Sequence, residues 1–152
     1  MLVEAQVTVP ARRATTWAAI SDIEHAAEVL SGVVSIEVLT RPAAGLLGLR
    51  WRETRMYFGK PASIEKWVTE VVDGTSYTTR AESPGFVYLT RLGITEQAGG
   101  VLITSAHETR AEGLGPRLMT IPMRLFFKGV IRKAILTDLE EIKAAVTAGR
   151  YT

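Results

Sequence analysis

The chain has 152 residues, 47% hydrophobic and 22% charged, with a formal net charge of +2 and no cysteine. This is the make-up of one ordinary globular domain, long enough to bury a core without staples. It excludes disulfides, thiolate metal sites and cysteine nucleophiles. The charge is too small to argue for nucleic acid: basic residues are scattered, apart from Arg50–Arg52–Arg55 and a spread Arg117, Arg124, Lys128, Arg132, Lys133 that reads as a solvated helix face.

The opening segment MLVEAQVTVP alternates and carries a charge, unlike the apolar core of a signal peptide. No apolar run reaches the roughly eighteen residues of a membrane span. The expectation is a cytoplasmic protein with a single domain over 1–152.

Residues 2–9 set Val3, Ala5, Val7 and Val9 against Leu2 and Glu4, which predicts a half-buried strand ended by Pro10. Ala11 to about Ile23 has helical spacing, with Ala14, Trp17, Ala18, Ile20 and Ile23 on one face and Arg12 and Arg13 outside it. Asp22 is placed to cap a second short helix, Glu24 to Leu30, that ends near Ser31-Gly32. Such a pair of helices could suggest DNA binding, but the second is acidic and offers phosphates nothing.

Six strand-like runs follow: Val33–Thr40, Leu47–Phe58, Ala62–Val72, Ser76–Glu82, Phe86–Thr95 and Val101–Ala111. Turn-forming separators divide them, including Gly59-Lys60-Pro61, Asp73-Gly74, Ser83-Pro84-Gly85 and Gly99-Gly100. Such short connections make consecutive strands antiparallel neighbours. After Gly113-Leu114-Gly115-Pro116, Arg117–Ile121 reads as a first turn. A long helix then runs from Pro122 to about Ala148, about 40 Å in length, with Gly149 as its stop.

The apolar stripe on that helix drifts. Met123, Phe126, Phe127, Val130 and Ala134 point one way; Ile131, Ile135, Leu139, Ile142 and Val146 are centred about a third of a turn away. A helix that buries its halves in different directions is gripped by something curved. The expected fold is therefore α+β: a curved seven-stranded antiparallel sheet wrapped around a long C-terminal helix, with two short helices after the first strand.

This order, with the stretches VTVPARRATTWAAISDIEHAAEVLSGVVSIEVL, GLRWRETR and TDLEEIKAAV, resembles the START-like superfamily of polyketide cyclases, dehydrases and lipid-transfer proteins, also called SRPBCC, with the helix-grip fold. The resemblance covers essentially the whole chain. Its motifs are mostly structural and supply no catalytic residue to carry over. The chain departs from the pattern at Glu24-His25-Ala26-Ala27, where many relatives have a proline and an aromatic. The resemblance implies a hydrophobic small molecule bound between sheet and helix, and in some members cyclisation or dehydration of polyketides.

The residues themselves add candidates. On the run from Leu47, the face Leu49, Trp51, Glu53, Arg55 and Tyr57 carries two large aromatics and reads as the inner one. Glu53 and Arg55, two apart on it, can pair and share partial burial. Trp67, Tyr77, Phe86, Tyr88 and His107 sit on later strands, and His107 shares its face with Val101, Ile103, Ser105 and Thr109. His107 and Glu53 are the candidate proton-transfer groups; His25 reads as a surface residue. Met119, Met123, Phe126 and Phe127, with Val130, suit an adaptable apolar pocket under the first half of the long helix. Its mouth is expected under the Leu39–Leu49 loop or the first helices.

Two histidines without ligand spacing argue against a metal site, no phosphate loop or GxSxG elbow is present, and no cofactor is expected. The leading expectation is binding of a polyketide, lipid or aromatic ligand. The alternatives are a cyclase, aromatase or dehydratase using a cavity acid/base, and a protein-interaction module with a vestigial cavity. A homodimer is left open.

Overall fold

The computed structural model describes residues 1–151; the side chains of residue 114 and of residues 116–126 lie outside the description. The elements run β1 (Leu2–Val9), α1 (Arg13–Ser21), a 3-10 turn (Ile23–His25), α2 (Ala26–Val29), β2 (Val33–Thr40), β3 (Arg50–Tyr57), β4 (Lys60–Val72), β5 (Ser76–Ser83), β6 (Phe86–Gln97), β7 (Gly100–Ala111) and α3 (Leu114–Thr147). The sheet has seven strands in the order β1-β7-β6-β5-β4-β3-β2. Every pairing is antiparallel, so each hairpin places its strands side by side and β1 closes against the last strand. The helix-grip expectation is met.

Turn chemistry fixes the hairpins. β5 and β6 are joined by Pro84-Gly85, with Gly85 at φ 81°, the residue order of a type II turn. Between β3 and β4 the two-residue turn is Phe58-Gly59, with φ 49° and 80°. Two left-handed residues make it type I′, so Lys60 and Pro61 open the next strand instead of forming the expected turn. Gly100 cannot be exchanged: a Cβ there would lie 2.1 Å from the Val9 carbonyl oxygen.

α1 buries Thr16, Ala19 and Ile20, followed by Ile23. Ala14 and Ala18, expected on that face, are exposed. The Thr16 hydroxyl donates to the Arg12 carbonyl, 3.0 Å, which satisfies its polar atom and lets a threonine occupy the buried stripe. Arg13, expected outside, instead reaches the β4–β5 turn, donating to the Gly74 carbonyl (2.9 Å) and to Thr75 Oγ1 (2.7 Å). Asp22 makes no cap bond; its carboxylate meets His25 Nδ1 at 2.7 Å.

α3 begins at Leu114, well before the expected Pro122, and would span about 50 Å. Ile135, Leu139 and Val146 are core residues, and they pack with Val3, Ala5, Val7, Val9, Val101 and Ile103 across the concave face. Lys128, Arg132 and Lys133 are exposed, as expected of a solvated face; Arg117 and Arg124 lie outside the described side chains.

Candidate functional site

Between the sheet and α3 lies a cavity of about 120 Å³. Strand register builds its wall. Thr79 pairs with Thr90 and Thr90 with His107, giving a row across β5, β6 and β7. Tyr77, Leu92 and Ser105 form the next row. Trp51 opposes Lys66 across β3 and β4. Ile135, Asp138, Leu139 and Ile142 of α3 face them, and Asp22, Ile23, Ala26, Val29 and Leu30 cover one end with Tyr151.

The charged part of the wall is a connected network. Glu53 Oε2 accepts from Arg55 Nε and Lys66 Nζ, each at 2.8 Å. Arg55 Nη2 donates to Asp138 Oδ2 at 2.9 Å, so the network ties β3 and β4 to α3. Glu53 is only 6% exposed. Burial alone would push its carboxyl up, but the Lys66 and Arg55 charges and their hydrogen bonds outweigh it and hold the group at about 2. Burial opposes the charge on Arg55 too, yet Glu53 and Asp138 leave its pKa raised. Burial raises the Asp138 carboxyl against the pull of Arg55.

His107 is neutral at ordinary pH. Burial pushes its imidazole down to about 4, and the Lys66 and Arg55 charges add to that. Its Nδ1 lies 3.4 Å from Thr90 Oγ1. Tyr77 donates its hydroxyl to the Ile20 carbonyl at 2.6 Å, and burial raises its pKa. Its ring meets Trp17 edge to face at 6.1 Å.

Of the residues singled out in the sequence, Trp51, Glu53, Arg55, Tyr77 and His107 come together on this wall. The others stand elsewhere. Trp67 is on the outer face, where the Arg50 guanidinium stacks 4.3 Å from its ring, because strand alternation sends Lys66 and Val68 inward on either side of it. Tyr57 shares the parity of Glu53 and Arg55 but lies at the strand end and is 53% exposed. Tyr88 does not line the cavity: it bonds Ser83 (2.9 Å) and stacks on Phe86. Phe127 and Val130 are exposed and touch no part of it. Met119, Met123 and Phe126 lie outside the described side chains. Among the described residues the cavity sits under the second half of α3; the expected position under the first half falls largely on side chains outside the description.

Lys66 and Asp138 were not anticipated, though both left a signal. Lys66 stands between Ile64 and Val68 on one strand face. Asp138 interrupts the helical stripe Ile135–Leu139–Ile142 with a charge on the buried side. The cover over residues 22–31 is the expected first-helix region, not the Leu39–Leu49 loop. Polar contacts fasten it: Ser31 N and Oγ to Glu141 at 3.0 Å each, Arg150 to Glu28 at 3.4 Å, Tyr151 to Asp22 at 3.5 Å, and Glu24 to Arg41. His25, mostly exposed, has its pKa raised by the bond to Asp22.

Among the described residues, no group of three or more His, Asp and Glu is arranged to hold a metal ion, and no helix is long and apolar enough to cross a membrane.

A family model described as polyketide cyclase / dehydrase and lipid transport matches residues 2–145. No curated protein sequence matches the chain. Among solved structures, a Thermus thermophilus protein has a TM-score of 0.80 at 17% identity, covering 98% of this chain and 99% of that one. The Zhui aromatase/cyclase from a Streptomyces species has a TM-score of 0.74 at 16% identity, with coverage of 97% and 93%. The ginseng major latex-like protein 151 from Panax ginseng has 0.72 at 9% identity, with 95% of each chain covered. At these identities the likeness is one of fold.

Proposed function

The chain belongs to the polyketide cyclase / dehydrase and lipid transport family, and from that premise we propose that it binds a hydrophobic or amphipathic small molecule between its sheet and α3. The observation that carries this is the cavity's two-sided wall. Trp51, Leu92, Ile135, Leu139 and Ile142 offer apolar surface, while Lys66, Arg55, His107, Thr79, Thr90 and Ser105 converge on part of it. Desolvation of apolar ligand surface supplies affinity at about 25 cal/mol per Å², and the polar groups orient what enters.

Acid–base catalysis is the weaker reading. A carboxylate held at about 2 and an imidazole held at about 4 both lie far from the range in which proton transfer at neutral pH is efficient. An interaction module with a vestigial cavity is weaker too, since the cavity is open and its polar groups are organised. The test is amide and side-chain NMR during titration with a panel of apolar and amphipathic compounds. The expected result is shifts concentrated at Trp51, Thr90, Ser105, His107 and Leu139. A broad panel that moves none of these signals would sink the reading.

A further inference from the structure

We propose that the cavity selects an uncharged, single-ring aromatic compound bearing a phenolic hydroxyl or an aryl carbonyl. This rests on the small-molecule reading above and narrows it by size, charge and hydrogen-bonding.

Size comes first. The cavity measures about 120 Å³. A dry protein cavity of about 150 Å³ takes benzene, whereas sites for drug-sized ligands run from about 300 Å³ upward. One ring fits; a fused polycycle or an acyl chain would have to displace Ile135, Leu139 or the 22–31 cover.

Charge decides the next point. Two carboxylates and two cations form a chain of ion pairs, Lys66 to Glu53, Glu53 to Arg55 and Arg55 to Asp138. The wall is balanced as it stands. A carboxylate ligand would bring an uncompensated negative charge onto a balanced wall, and desolvating that charge costs more than desolvating a neutral oxygen. A neutral ligand avoids this.

Hydrogen-bond capacity then sets the substituent. Lys66 has three N–H groups, and among the described residues its hydrogen bond goes to Glu53. Arg55 uses Nε and Nη2, leaving the Nη1 pair. These unused N–H groups are complemented by an acceptor oxygen on the ligand. A carbonyl provides one, and a phenolic hydroxyl provides one while its own proton can go to the neutral His107 ring. The flat side of the ring would lie against Trp51, Leu92 and Leu139, which supply apolar surface on the sheet and helix sides.

The experiment is calorimetric titration of the whole protein with phenol, acetophenone, benzoate and hydroxypyrene, with NMR shifts at His107 and Trp51 to locate binding. Phenol and acetophenone are expected to bind, benzoate about tenfold more weakly or worse, and hydroxypyrene not at all. In Lys66→Met, acetophenone is expected to weaken about tenfold; a melting curve reports whether that variant folds, and Thr90→Val offers a second, gentler wall change, with phenol expected to weaken less. Hydroxypyrene binding while the single rings do not overturns this inference and leaves the small-molecule reading standing. Benzoate binding as well as phenol also overturns it. Silence from all four compounds overturns this inference, while the small-molecule reading falls only if the broad apolar and amphipathic panel is silent as well.

Discussion

The concave face of one sheet is built in two ways. Toward β1 and β7, Val3, Val9, Val101 and Ile103 are almost completely buried and pack solid against α3. Toward β3 and β4 the same face carries Trp51, Glu53, Arg55 and Lys66, and from there the cavity extends across to Thr90 and His107. Apolar side chains gain by closing every gap, because a void forfeits dispersion contacts. Charged side chains tied to fixed partners cannot collapse onto one another without losing those partners. The contrast teaches that the cavity exists because part of the core is ionic.

The sharpest way to break that contrast is to unbalance the ionic side. Glu53→Leu takes away the carboxylate that Lys66 bonds and leaves Arg55 with Asp138 alone, and should cost about 4 kcal/mol in denaturant unfolding, as removing one member of a buried pair does. The double change Glu53→Leu with Lys66→Met should recover much of that loss. If both variants are equally unstable, the network is not what organises this wall. On the apolar side, Ile103→Ala should cost about 3 kcal/mol through lost burial and the void it leaves. Unlike the ionic change, that loss should vary little with pH.

The pH profile separates the sides further. The His107 pKa falls from 6.5 in the unfolded chain to about 4 in the fold. Between those values the unfolded state binds more protons, so stability is intact above about 6.5 and is lost as pH falls toward 4. The full shift corresponds to about 3 kcal/mol, discounted to about 2 kcal/mol because the ring faces the cavity. Glu53, lowered from 4.5 to about 2, acts in the same direction at lower pH: its contribution is present above about 4.5 and is lost as pH falls through 2. His107→Asn should flatten the first part of the profile, measured by urea unfolding at pH 4 to 7, and leave the second. The smallest effect is expected on the outer face, where Arg52 pairs with Glu37 and Glu65 in the open. Arg52→Ala should cost about 0.5 kcal/mol, visible as a slight lowering of the melting temperature and weaker still in high salt.

The strands were legible in the sequence because alternation and turn residues are local signals. β1 shows the expected alternation residue for residue. The inner face through Trp51, Glu53 and Arg55 was legible for the same reason. The face of α1 was not: alanines are small enough to sit inside or outside, and Thr16 looks polar until its hydroxyl is bonded back to Arg12. The cavity under the second half of α3 was not anticipated, because a broad stripe of methionine and phenylalanine looks more pocket-like than Ile135–Asp138–Leu139. What marks the pocket is the one carboxylate placed among aliphatic residues, and its partner Arg55 is 83 positions away in sequence. Local periodicity cannot bring such residues together; the sheet's curvature does.

Under the proposed binding, the cover formed by residues 22–31 would set how fast a ligand exchanges separately from how tightly it is held. Its fastenings, Ser31–Glu141, Arg150–Glu28 and Glu24–Arg41, are exposed at the surface, where salt screens charge within about 8 Å at physiological strength. The contacts inside the cavity are shielded from that screening. Raising salt should therefore quicken both arrival and departure while their ratio stays nearly constant, giving a door whose hinge answers to the solvent and a room that does not.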